Sequence, residues 1–259
     1  MSAPTRHLRD LTLPEHRHLE GSALARALDD PALNAVRYRA LLARWLQAWG
    51  PLERTLDRAP HARALGQLLP APRTAIGRAD LAWLEARLPA AARTPAGSDP
   101  GFGLSTGTSI GTSIGTSIGT FTGSSAGPST GLPTLAAPQS VAGALGWAYV
   151  LRGAALGGQV IARRLLQRLG PDLAPAVRFF ASGEQQALSW TRWQQAADAR
   201  LADPADLQRA TEAARAVFVW LATHFDGPLP PPGLSAQTQA HPAGHAASAR
   251  EARQTGATA

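Results

Sequence analysis

Cysteine is absent from the 259 residues, which excludes disulfides, thiolate-bound metals and a cysteine nucleophile, and fits a reducing compartment. Lysine is absent as well, so the net charge of +7 rests on arginine alone. The arginines are spread along the chain, a pattern of solvated faces and partners for acidic groups before one of a nucleic-acid surface, and no nucleic-acid partner is expected. The N-terminal run Thr5-Arg6-His7-Leu8-Arg9-Asp10 is polar where a secretory signal needs an apolar stretch. The longest uncharged apolar run, 141–151, is too short and too rich in glycine to span a bilayer. The expectation is a cytoplasmic chain without a membrane partner. His-Glu-x-x-His, P-loop and nucleophile-elbow motifs are missing, and Gly-x-x-x-Gly-Gly at 153–158 sits inside a helical stretch, so it is no dinucleotide fingerprint. Glu15 and His18 have the Glu-x-x-His spacing of a di-iron bundle, but the second pair such a site needs is lacking.

What remains is helical. Apolar residues make up 44% of the chain, enough for one sizeable core, and no segment alternates with the period of a strand. The predicted fold is all-α, a single helical domain over residues 1–227 followed by a disordered tail, 228–259, of Pro, Ala, Gln and Gly. Within the domain, Thr12-Leu13-Pro14-Glu15 and Ser182-Gly183-Glu184-Gln185 have capping-box form, Asp30-Pro31 and Asp203-Pro204 read as N-cap pairs, and Gly50-Pro51 should bend or break its helix. The tryptophans read as core. At about 95–137 a Gly/Thr/Ser-rich insertion repeats Gly107-Thr108-Ser109-Ile110 at Gly111 and Gly115; three four-residue copies are low complexity and predict a disordered insertion.

Two stretches stand out. Val141 to Leu169 reads as one long helix, capped by Ser140 and stopped by Gly170-Pro171, yet it holds five glycines. Each costs roughly 0.8–1 kcal/mol against alanine in a helix interior. Gly153 and Gly157, four apart, open a notch on one face, for a close helix crossing or for something flat laid against the backbone. Near the N-terminus, His16 shares an apolar face with Leu13, Leu19, Ala23 and Ala27, with Glu20 one turn on. It is either a satisfied core histidine or an axial metal ligand whose second ring nitrogen is oriented by Glu20.

Thr12-Leu13-Pro14-Glu15-His16 with Leu19-Glu20, followed by Tyr149-Val150-Leu151-Arg152-Gly153-Ala154-Ala155-Leu156-Gly157-Gly158, resembles the bacterial heme oxygenases, in particular those that accompany bacterial phytochromes. Phe179-Phe180, Trp190 and Ala213-Ala214 before Phe218 are weaker echoes. The resemblance implies a helical domain holding heme b, as substrate and cofactor, between a proximal and a kinked distal helix. It implies His16 as the iron ligand supported by Glu20, and Arg9 and Arg192 as propionate partners. It also implies Gly153, Gly157 and Gly158 against the porphyrin, with Tyr149 beside the distal water. The implied reaction yields biliverdin, carbon monoxide and ferrous iron, with electrons from a ferredoxin or an NADPH-dependent reductase and a bacterial phytochrome as a product acceptor. The chain departs from the family pattern at Arg152, Ala154 and Ala155, where Glu, Ser and Thr are usual, and at Ala181-Ser182-Gly183, where Tyr-Gly is expected. Two alternatives stand beside this reading: a heme-binding homologue that does not degrade heme, and an interaction bundle in which His16 is core.

Overall fold

The structure is a computed structural model that describes residues 3–88, 135–185 and 188–229. Ten α-helices and no strand occur among the described residues, as the apolar periodicity predicts. They are α1 (Pro4–Leu11), α2 (Leu13–Glu20), α3 (Ala23–Leu28), α4 (Ala35–Asp57), α5 (Ala62–Leu65), α6 (Thr74–Arg87), α7 (Val141–Leu169), α8 (Arg178–Ala181), α9 (Trp190–Arg200) and α10 (Pro204–Asp226). Nearly all of the predicted insertion and tail lie outside the described residues.

The two long helices that frame the molecule begin and end where local chemistry dictates. Ser140 Oγ accepts the Gly143 amide at 3.0 Å to start α7, and Gly170, at φ +94°, ends it in a backbone conformation that a side chain would strain. Asp203 accepts the Ala205 amide at 2.8 Å, with Pro204 in the first turn, to start α10. α7 and α10 form the most extensive helix pair, and α4 and α6 pack beside them.

Three capping expectations are overturned, and one expected helix break does not occur. Thr12 does not cap α2; its hydroxyl donates back to the Leu8 carbonyl at 2.9 Å, closing α1, and Glu15 pairs with Arg215 on α10 at 3.1 Å. Asp30 does not cap α4; it holds the Ala32 amide and the Arg37 guanidinium, and Asn34 is the cap, accepting from Arg37 N at 2.9 Å. Ser182 opens only a short 3-10 turn, its hydroxyl donating to Phe179 O, while α9 starts eight residues later under Ser189. Pro51 does not break α4, which runs through it unbroken. Trp49, Leu52 and Leu56 on either side are buried, and that packing offsets an interior proline's cost of about 3 kcal/mol.

The core is aromatic. Trp45 meets Phe180 and Phe225, Trp49 meets Phe179, and Trp49, Trp147 and Trp193 are essentially inaccessible. Asp80 on α6, fully buried, accepts the Phe179 amide at 2.7 Å and the Arg178 guanidinium at 2.9 Å, fixing α8 against the bundle. Burial pushes its carboxyl above the usual range, against the pull of those donors.

Candidate functional site

The glycines of α7 divide into two kinds. A methyl group at Gly146 would collide with the Ala210 carbonyl of α10, and one at Gly158 would sit 2.7 Å from the Phe180 carbonyl of α8. These positions are close crossings, where only hydrogen fits. A methyl at Gly153 or Gly157 would meet nothing within 4 Å. Here the absent side chains leave open space, and crossing geometry does not account for them.

At 100° per residue, Tyr149, Gly153, Leu156, Gly157, Val160 and Arg164 fall on one stripe of α7. Leu156 and Val160 are 41% and 40% exposed, an apolar strip uncovered on a helix that is otherwise largely buried. Gly158 is turned away from this stripe toward α8, so of the three expected glycines the structure gathers two on the open face.

α7 is tied to the N-terminal helices at two places, and α2 itself packs on α10. At the first, Tyr149 hydrogen-bonds the Thr12 side chain at the α1–α2 junction and feels the charges of Arg9 and Asp10. At the other, Arg164 pairs with Asp29 at 3.1 Å and Arg168 donates to the Leu28 carbonyl at 2.9 Å, both just beyond α3 or at its end. α10 supplies a common level: its Ala210 lies at Gly146, and its Phe225 reaches Trp45, which packs on Phe180 beside Gly158. Phe218, midway between, carries His16 edge-on at 5.5 Å. His16 thus packs on α10 between the points where α10 meets α7 at Gly146 and α4 at Trp45.

His16 is not a core histidine. Its side chain is 46% exposed, and Nδ1 lies 3.5 Å from Glu20 Oε2, which leaves Nε2 for a ligand. The expected core neighbours fail for a local reason: Gly21 ends α2, so Ala23 and Ala27 belong to another helix. His18 points elsewhere, toward Asp226 at 3.4 Å.

Tyr149 is buried against Trp190 and Trp193, with ring centres 5.9 and 6.4 Å away, and burial raises its phenol above the ordinary value. Arg9 is exposed at the end of α1 and pairs with Asp10 at 3.1 Å. Arg192 is exposed in the first turn of α9. Arg152, 2% exposed, donates to the carbonyls of Leu188 and Leu69 and lies 5.7 Å from the Trp193 ring centre, tying α7 to two loops. Leu156, Val160 and Phe218 were missed as site residues; the first two were legible as the continuation of the Gly153/Gly157 stripe at helical period. Among the described residues, no group of three or more His, Asp or Glu side chains could hold a bare metal ion.

A curated protein of Xanthomonas campestris pv. campestris (strain 8004), named heme oxygenase, is 38% identical to this chain over 73 residues. Those residues are 28% of this chain and 44% of that protein, so the match spans less than half of the relative's length. No family model matches the chain, and no solved structure does.

Proposed function

We propose that the chain is a heme oxygenase, binding heme b between α2 and α7 and opening it oxidatively. The observation that carries this reading is the pair of open glycines on α7, Gly153 and Gly157, which no helix crossing explains, and an exposed imidazole on α2 supports it. A flat apolar macrocycle fits that arrangement: glycine hydrogens and the exposed Leu156 and Val160 offer it a surface, and its burial is worth about 25 cal/mol per Å². The similarity to the Xanthomonas protein supports it independently.

Bound heme supplies oxygen activation at its iron and is itself consumed, giving biliverdin, carbon monoxide and ferrous iron, with a ferredoxin or an NADPH-dependent reductase as electron source. The chain's own residues hold and aim it. His16 offers Nε2 to the iron while Glu20 fixes the ring through Nδ1, raising the basicity of the ligand. Arg9 and Arg192 take the carboxylates of the heme edge. Leu156 and Val160 keep water off the ring. Tyr149, its phenol raised above the ordinary value by burial, anchors the pocket wall through Thr12. A bacterial phytochrome is the proposed acceptor of the product.

The specific observation favouring a second reading, heme binding without turnover, lies on the same helix. Ala154 and Ala155 carry no hydroxyl beside Gly153, and Arg152 is engaged with the carbonyls of Leu188 and Leu69. Adding hemin to the full chain should give a Soret band that His16→Ala weakens or shifts. Reduction in air should then convert that band to biliverdin absorbance. A stable Soret band under those conditions selects the second reading, and no band at all leaves an interaction bundle.

A further inference from the structure

We propose that Tyr149 and Trp190 form an exit for oxidising equivalents, carrying them from the heme pocket to the protein surface when peroxide reacts there unproductively. The proposal rests on the heme-binding reading above. Three readily oxidised side chains are in contact, two of them buried and the third, Trp190, half-buried. The ring centres of Trp190 and Trp193 are 5.1 Å apart and the planes nearly parallel, at 14°, and Tyr149 lies 5.9 Å from the first and 6.4 Å from the second.

The three differ in what surrounds them. Tyr149 is the member carried by α7 itself, one turn before Gly153 on the same stripe. Trp193 is fully buried, its Nε1 donates to the Leu68 carbonyl at 2.8 Å, and the Arg152 guanidinium lies against its ring. A cation over an indole face is attracted by the neutral ring and repelled by its radical cation. Trp193 is thereby made the hardest of the three to oxidise and serves as a stacking platform. Trp190 is half-buried, and it lines an open cavity of about 410 Å³ with Leu156, Gln159 and Ser189, where an indole proton can pass to water. The easy path therefore runs from Tyr149 to Trp190 and out.

Hydrogen peroxide at the heme takes two electrons and two protons to become two waters. Tyr149 gives one electron and its phenolic proton toward the pocket. It recovers an electron from Trp190 and a proton from water. Trp190 releases its Nε1 proton to the cavity and is left as a neutral indolyl radical, which an external one-electron reductant such as ascorbate restores. A second passage supplies the second equivalent.

The test uses the full chain loaded with hemin, treated with hydrogen peroxide without reductant. Freeze-quench electron paramagnetic resonance reads the radical, and peptide mass spectrometry reads oxygen added to each tryptophan. Wild type should show tyrosyl and tryptophanyl signals and oxygenated Trp190, with Trp83 on the distant α6 unmodified. Trp190→Phe should make the tyrosyl signal persist and the heme bleach several-fold faster, and Trp190→Tyr should restore the slower bleaching. Tyr149→Phe should cut Trp190 oxygenation several-fold. Equal oxygenation of Trp190 in Tyr149→Phe, or matching oxygenation of Trp83, would overturn the relay. So would hemin binding without a radical on either residue, which leaves the functional reading intact. Failure to bind hemin at all overturns both.

Discussion

Substituting alanine at both Gly153 and Gly157 should make the apoprotein more stable while weakening hemin binding. An added methyl at either position meets nothing within 4 Å, so no packing cost opposes the helix propensity gained. Each Gly→Ala exchange in a helix interior is worth roughly 0.8–1 kcal/mol, so the pair should gain about 1.5–2 kcal/mol. For a domain of this size, that raises the melting temperature by about 3–8 °C. The same exchange at Gly146, beneath the Ala210 carbonyl, or at Gly158, 2.7 Å from the Phe180 carbonyl, should cost about 1–3 kcal/mol instead. One helix thus carries substitutions of one type with opposite signs. With a macrocycle against the open pair, two added methyls become an overpacking cost of about 1–3 kcal/mol, a loss of roughly 5- to 150-fold in hemin affinity. Calorimetry of the apoprotein and hemin titration by absorbance read the two effects separately. A double variant that is stabilised yet binds hemin as wild type would refute the notch as the binding site. A destabilised one would refute the reading of the open space.

Two titratable groups outside the site give pH predictions of opposite slope. Asp80 is an acid whose folded pKa is raised by burial above its ordinary 3.8, so the folded state holds its proton more tightly than the unfolded chain. Stability therefore falls as pH rises through the window above 3.8, and urea denaturation at a series of pH values should find that fall removed in Asp80→Asn, which keeps an acceptor for the Phe179 amide. His224 is a base whose folded pKa is depressed below 6.5, mainly by burial, its Nδ1 bonded to the Trp220 carbonyl at 2.8 Å. Its contribution is present above pH 6.5 and lost as pH falls toward the folded value, so His224→Gln should flatten the decline below pH 6.5, again by urea titration.

The parts of the fold legible in the sequence are those decided within a turn or two of the chain. Ser140, Gly170-Pro171 and Asp203-Pro204 set the ends of α7 and α10 through neighbours at most three residues away, and the stripe on α10 follows from period alone. Of the misplaced signals, Thr12 and Ser182 bond back to the preceding turn, while Glu15 and Asp30 had a local and a more remote offer. Glu15 left the capping box for Arg215, and Asp30 left its own helix start for Arg37. α6 is the converse case, since its first amides are held by Glu53 of α4, with Oε1 2.7 Å from Arg73 N and Oε2 2.9 Å from Thr74 N. No inspection of residues around Thr74 suggests that. In the site, the spacing of Gly153 and Gly157 was enough to mark a notch, and the Glu20 spacing enough to mark a partner for His16. Which glycines of α7 are crossings was not legible, because the answer lies in carbonyls of α8 and α10.

α7 is fastened near Tyr149 and again at Arg164 and Arg168, and between these points it carries two glycines with empty space before them. Between those points it is held again, by Arg152 to two loops and by Gly158 against α8, so the bare stretch is a shelf with firm backing rather than a slack span. Anything flat laid on such a shelf meets a surface that does not give. Breaking the Arg164 contact, a half-exposed ion pair worth at most about 1 kcal/mol, should then leave hemin affinity within about fivefold of wild type, read by absorbance titration.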